Sequence, residues 1–119
     1  MERKRIEQIE KKLLERRRAI NGVLTHLKRE SEEVTESRQT DWLDHAWEEN
    51  AARTVDRLTE LYRAELDGIE DALARIRTGT FGACAACHHT IEAMRLEFFP
   101  QTRFCAACAD IREALERAA

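Results

Sequence analysis

Cys84-Ala85-Ala86-Cys87 and Cys105-Ala106-Ala107-Cys108 hold all four cysteines of this 119-residue chain, in two CxxC pairs with seventeen residues between them. Two thiolates at this spacing chelate one side of a tetrahedral ion, and a second pair closes the other side at about 2.3 Å per Zn–S bond. Four sulfurs leave no open coordination position. The spacing therefore predicts one structural zinc per chain, which contributes folding free energy and not chemistry. A thioredoxin-like redox pair would need a βαβ unit, and no such pattern is present. Disulfides would require export, yet Met1-Glu2-Arg3-Lys4-Arg5 leads into a charged helical pattern with no apolar signal core, so a reducing cytoplasm is expected. An iron–sulfur cluster is the remaining alternative to zinc.

With 36% charged residues and a single proline, the chain reads as a small module on a long helical element and not as a two-domain enzyme. No run approaches the roughly eighteen apolar residues of a membrane span. The net charge of −3 hides an asymmetry: residues 1–30 carry ten Lys/Arg against five Asp/Glu, and residues 31–50 carry one against seven. This balance argues against non-specific DNA binding and leaves a local acidic cluster to be explained.

Ile6, Ile9, Leu13, Ile20, Val23, Leu27 and Val34 occupy a and d positions of one heptad frame, with Leu24 widening the stripe. Arg16 and Glu30 interrupt it at d positions, and Gly22 lowers helix propensity by about 1 kcal/mol. A second stripe runs from Trp47 through Ala51, Val55, Leu58, Leu61, Tyr62, Leu66, Ile69 and Leu73 to Ile76. Gly79 is placed to cap this helix at its C-terminus. Two apolar stripes of similar length bury each other most economically as an antiparallel hairpin, each helix roughly 45–50 Å long. The expected fold is mainly α: a coiled-coil helical hairpin over 1–78 with an acidic tip near 37–47, then a C4 zinc finger with a C-terminal helix over 79–119. Pairing of helix 1 with a second chain is the rival, and a monomer is preferred. In the hairpin reading, the cysteine quartet locks the base of the coil against the C-terminal helix. Trp47, Tyr62, Phe98, Phe99 and Phe104 are expected to pack between coil, finger and C-terminal helix.

At the turn of the hairpin, Thr40 or Asp41 can cap helix 2, and carboxylates in a first helical turn oppose the helix dipole. Capping does not explain Trp42, a large aromatic at the end of a thin rod beside two aspartates, which looks like a contact surface.

The pattern Asp41-x-x-Asp44-x-Ala46, together with Phe81-Gly82-x-Cys84-x-x-Cys87, Arg95-Leu96 and Pro100 before Cys105-x-x-Cys108, resembles the DksA/TraR family of bacterial RNA polymerase-binding regulators. The resemblance covers helix 2, the finger and the tip; helix 1 matches only in pattern. It implies that the coiled coil enters the secondary channel of RNA polymerase, with Asp41, Asp44 and Ala46 as the tip residues near the catalytic centre and no contact with promoter DNA. The carboxylates can accept hydrogen bonds from polymerase amides or basic side chains, and Ala46 permits close approach. Engagement of a catalytic magnesium, as in the Gre cleavage factors, ranks lower than modulation of promoter complexes.

In the DksA branch, basic residues on helix 2 and just after the last cysteine help bind ppGpp. Here the corresponding region offers Leu61, Glu65 and Gly68, and Ala109 follows Cys108, so weak or no ppGpp dependence is expected. His88 follows Cys87 where a metal knuckle favours glycine, and it either tolerates a left-handed backbone or, with His89, exchanges in as a ligand. His45 beside the aspartates is read as a bystander. The runs Lys11-Lys12 and Arg16-Arg17-Arg18 mark a solvated face or a contact with an acidic polymerase surface.

Two other classes compete with a polymerase-binding regulator. A nucleic-acid-binding finger would need a basic face, yet residues 78–119 carry four arginines against five acids. A coiled-coil module that dimerises is the other. No nucleophile–base constellation or open metal position points to an enzyme.

Overall fold

The computed structural model describes residues 2–36 and 42–118, with side chains described outside 33–45. Among the described residues four helices follow in order: α1 (Arg3–Glu36), α2 (Trp42–Thr78), α3 (Ala93–Phe98) and α4 (Ala106–Ala118). No strand occurs among the described residues; one isolated antiparallel bridge joins Ala83 to Thr90. The chain is mainly α, an antiparallel coiled-coil hairpin of α1 and α2 followed by the cysteine-bearing finger and α4. It clusters into two compact units, residues 16–67 in one and residues 1–15 with 68–119 in the other.

In the unit of residues 16–67, Ile20, Leu27 and Val55 are buried. Ile20 and Leu27 lie seven residues apart, the repeat that keeps one seam facing its partner. Arg16, a flaw in that frame, forms a two-pronged ion pair with Glu65 of α2: Nε donates to Oε2 at 2.8 Å and an Nη donates to Oε1 at 3.0 Å. The interruption is thus a cross-helix hydrogen-bonded contact at the rim of the seam. The stripe read on α2 divides. Val55 is buried and Tyr62 and Leu66 are half-buried, but Trp47 is 75% exposed, Leu61 62% and Leu58 37%. A stripe this wide exceeds what one partner helix covers, so its outer edge stays in solvent.

In the other unit, Ile9 and Leu13 of α1 and Ile69, Ala72 and Leu73 of α2 are buried with Cys84, Ile91, Leu96 and Cys105. The expected helix stop is present. Gly79 takes φ +76°, its N–H donates to the Ile76 carbonyl at 3.3 Å, and the Thr80 N–H donates to the Arg75 carbonyl at 2.9 Å. These two bonds form a Schellman cap, which only a residue tolerant of the left-handed region completes at low cost.

Two expectations about packing are corrected. Phe98 is 84% and Phe99 54% exposed, and with Trp47 they do not serve as core aromatics; Phe104 is half-buried. The helix carrying Phe98 is six residues long, and only Leu96 of it reaches the interior. The second correction concerns α4, which has no buried residue and leaves Ile111 and Leu115 exposed. Beyond Cys108 in the sulfur cluster, its described contact is Arg112, stacked 4.3 Å from the centroid of the Phe104 ring. This helix therefore does not brace the coil through a packed core. Among the described residues no helix is long and apolar enough to cross a membrane.

Candidate metal centre

Cys84 and Cys87 lie in a tight reversal between α2 and α3. The Cys84 N–H donates to the His89 carbonyl at 2.8 Å, the His88 N–H to the Cys84 carbonyl at 2.9 Å, and the Ile91 N–H to the Gly82 carbonyl at 2.7 Å. Closing so short a turn requires a left-handed residue. His88 supplies it at φ +64°, the one non-glycine with positive φ among the described residues. His is among the side chains that tolerate this region. Gly82 also has positive φ, +91°, and an added Cβ would meet Leu96 Cδ1 at 3.6 Å. Phe81-Gly82 and Arg95-Leu96 in the motif are thus partly one packing unit.

Cys105 and Cys108 come from the start of α4. The Ala109 N–H donates to the Cys105 carbonyl at 2.9 Å, which places Cys105 at the N-cap and Cys108 in the first turn. The two halves are tied together by the Ala85 N–H donating to the Arg103 carbonyl at 2.8 Å and the Cys105 N–H donating to Cys84 Sγ at 3.4 Å.

All four sulfurs lie within 4.8 Å of one another. Tetrahedral Zn–S bonds of about 2.3 Å place sulfurs about 3.8 Å apart, and the Cys87–Cys105 pair is 3.8 Å apart. The donor set is all sulfur, and it fits one zinc ion. His88 and His89 stand exposed outside the cluster.

The thiols are electrostatically unequal. The backbone N–H of Cys87 above all, with those of Cys105 and Ala86, holds Cys84 down at about 6 against the opposing effect of burial. At Cys87 the His89 N–H also acts downward, but burial and the neighbouring Cys84 and Cys105 thiols outweigh it and push the group up. The hydrogen bond with Cys105, followed by burial, pushes Cys108 up to about 12. Four thiolates cannot share this volume without a cation. A bound metal supplies that charge and displaces the remaining protons.

The segment between α3 and α4 is held by long side chains. Arg75 of α2 donates through one Nη to the Thr102 carbonyl at 3.1 Å and through the other to the Gln101 carbonyl at 3.3 Å. Burial lowers the pKa of this guanidinium, and its Nε, 3.3 Å from Asp71 Oδ2, has no hydrogen-bond partner. Arg95 Nε donates to the Phe104 carbonyl at 3.0 Å. Thr102, 4% exposed, donates its hydroxyl to the same carbonyl at 3.0 Å. The sequence marks Arg95 only by its place in a motif, and Arg75 and Thr102 carry no motif. An arginine at the inner edge of a helix stripe was the available signal.

Of the tip residues, Asp41 lies outside the described residues, Asp44 falls in the first turn of α2 with its side chain outside them, and Ala46 is half-buried on α2.

A helical hairpin continued by a four-cysteine finger defines the class: coiled-coil proteins with a structural C4 zinc site. Residues 79–114 match the sequence profile of the prokaryotic dksA/traR C4-type zinc finger. The chain superposes on transcription factor DksA2 from Pseudomonas aeruginosa with a TM-score of 0.86 at 26% identity, covering 98% of this chain and 89% of that one. It also matches the DnaK suppressor protein from Agrobacterium tumefaciens C58 at 35% identity and a TM-score of 0.60, over 89% of this chain and 92% of that one. An uncharacterized protein of Aquifex aeolicus is 34% identical over 116 residues, 92% of this chain and 77% of the relative. The chain belongs to the DksA/TraR family of C4-type zinc-finger proteins.

Proposed function

We propose that this protein is a non-enzymatic transcription regulator that binds RNA polymerase through its secondary channel and brings the acidic end of its hairpin near the active centre. The observation that carries the reading is the joint match of fold and finger to the family, over 98% of the chain for the DksA2 structure. Asp41, Asp44 and Ala46 are the proposed tip contacts, with carboxylates accepting hydrogen bonds from polymerase donors. Trp47, Leu58 and Leu61, exposed along α2, are suited to contact with a protein surface.

Dependence on ppGpp is proposed to be weak or absent. Leu61 offers no charge, Glu65 is a carboxylate already engaged by Arg16, and Gly68 and Ala109 offer no cationic side chain. A polyphosphate needs such donors. The decisive experiment combines polymerase pull-down with initiation assays with and without ppGpp. Binding to core polymerase is expected, with Asp44→Asn weakening the transcriptional effect while largely sparing binding. Equal effects from variant and wild type would sink the tip assignment. A dimerising module is the second reading, favoured by the exposed apolar edge of α2, and light scattering that returns a dimer would support it.

A further inference from the structure

Arg95-Leu96 stands in the sequence pattern without a role in polymerase contact, and the hydrogen bonds around it give it one. Residues 99–105 run between α3 and α4 with no strand ladder to hold them, so each backbone carbonyl needs a donor from elsewhere. Four consecutive carbonyls find one. Gln101 and Thr102 receive the two arms of Arg75, Arg103 receives the Ala85 N–H, and Phe104 receives Arg95 Nε together with the Thr102 hydroxyl. The next residue is Cys105, whose own N–H points to Cys84 Sγ.

We propose that Arg75 and Arg95 are positioning residues of the metal centre: by gripping the carbonyls of residues 101, 102 and 104 they fix the path of the loop and thereby place the Cys105 sulfur opposite the first CxxC pair. Each arginine is itself anchored. Arg95 sits beside Leu96, which is fully buried against Gly82 at the first knuckle, and Arg75 is one turn beyond buried Ala72 and Leu73. Both motif halves are therefore referred to the same hydrophobic core. A planar guanidinium presents two N–H arms in a fixed fork to neighbouring carbonyls, a geometry that a compact ammonium on a flexible stem does not preorganise. Groups outside the ligand shell that hold ligands in place typically contribute about 10–100-fold to metal affinity.

The test uses the full-length zinc-loaded chain challenged with excess chelator, and the cobalt-substituted chain, whose visible absorption reports ligand geometry. Arg95→Gln and Arg75→Gln are each expected to release zinc about tenfold faster than wild type and to shift the cobalt bands and the Cys105 amide resonance. Arg77→Gln, at an exposed position on the same helix as Arg75, is the control and is expected to leave all three unchanged. Arg75→Lys retains the charge but not the fork, and release faster than wild type is expected. Wild-type behaviour of Arg75→Lys would assign the effect to charge and overturn the positioning role. Unchanged release and spectra in folded Arg95→Gln would do the same. If Arg95→Gln does not fold, Arg95→Lys carries the test: it keeps the charge but not the Nε–H that holds the Phe104 carbonyl, a few-fold faster release supports the inference, and wild-type release overturns it.

Discussion

The coil segment of residues 16–67 and the finger-bearing unit solve the same problem by different means. The coil satisfies its backbone within its own helices and needs from tertiary structure only a narrow seam, buried at Ile20, Leu27 and Val55, with Arg16–Glu65 at the rim. The finger has short helices and unladdered loops, so it recruits sulfur ligands, arginine forks and a buried threonine to satisfy groups that no regular element pairs. Periodic structure distributes stability along a repeat. Irregular structure concentrates it in a few groups whose loss is felt throughout the unit.

Removal of the metal should break this contrast most strongly. Zinc binding in small finger peptides is worth on the order of 10 kcal/mol, so chelation is expected to abolish dispersed amide resonances from residues 79–108 while the coil segment keeps its helical signal. A fully folded metal-free chain would contradict the account. Ile20→Ala strikes the coil at a side chain with 0% exposure and should cost about 2–5 kcal/mol in denaturant unfolding, with stoichiometric zinc retained.

Acid gives a graded version of the metal experiment. Protons compete with zinc for thiolates, so affinity falls as pH falls. A free cysteine thiol has a pKa of about 8.5, so the unfolded metal-free finger must lose several protons to bind zinc, and affinity should fall steadily as pH is lowered from about 8 to about 6. A pH-independent affinity over this range would count against thiolate ligation.

Two smaller changes sharpen the reading of the coil. Gly22 lies exposed inside α1 with nothing within 4 Å of an added Cβ, so Gly22→Ala should stabilise by about 1 kcal/mol. Arg16→Ala should cost under about 1 kcal/mol, since both partners of its ion pair are partly solvated at 50% and 34% exposure. A larger loss would mean that the pair does more than cover the rim.

The ligand quartet was legible because CxxC spacing is a local geometric constraint, and the hairpin was legible because a seven-residue repeat encodes a seam. Gly79 as a helix stop and His88 in a left-handed turn were legible for the same reason: each rests on what its own backbone must do. The aromatic assignments failed at Trp47, Phe98 and Phe99 because hydrophobicity says that a side chain prefers burial and not that a small unit has room for it. The roles of Arg75, Arg95 and Thr102 were hidden because their partners are carbonyls, identical in every residue and invisible to any pattern of side chains.

What the sequence determined by itself is therefore the periodic and the local: two helices with a shared seam, their stop, and four sulfurs in chelating pairs. Tertiary structure alone decided which edge of α2 is covered, that α4 is left without a buried face, and which donors hold the loop before Cys105. The physical reason is range. Helical periodicity and chelate spacing are fixed within a few residues, whereas burial and backbone satisfaction depend on what arrives from far along the chain.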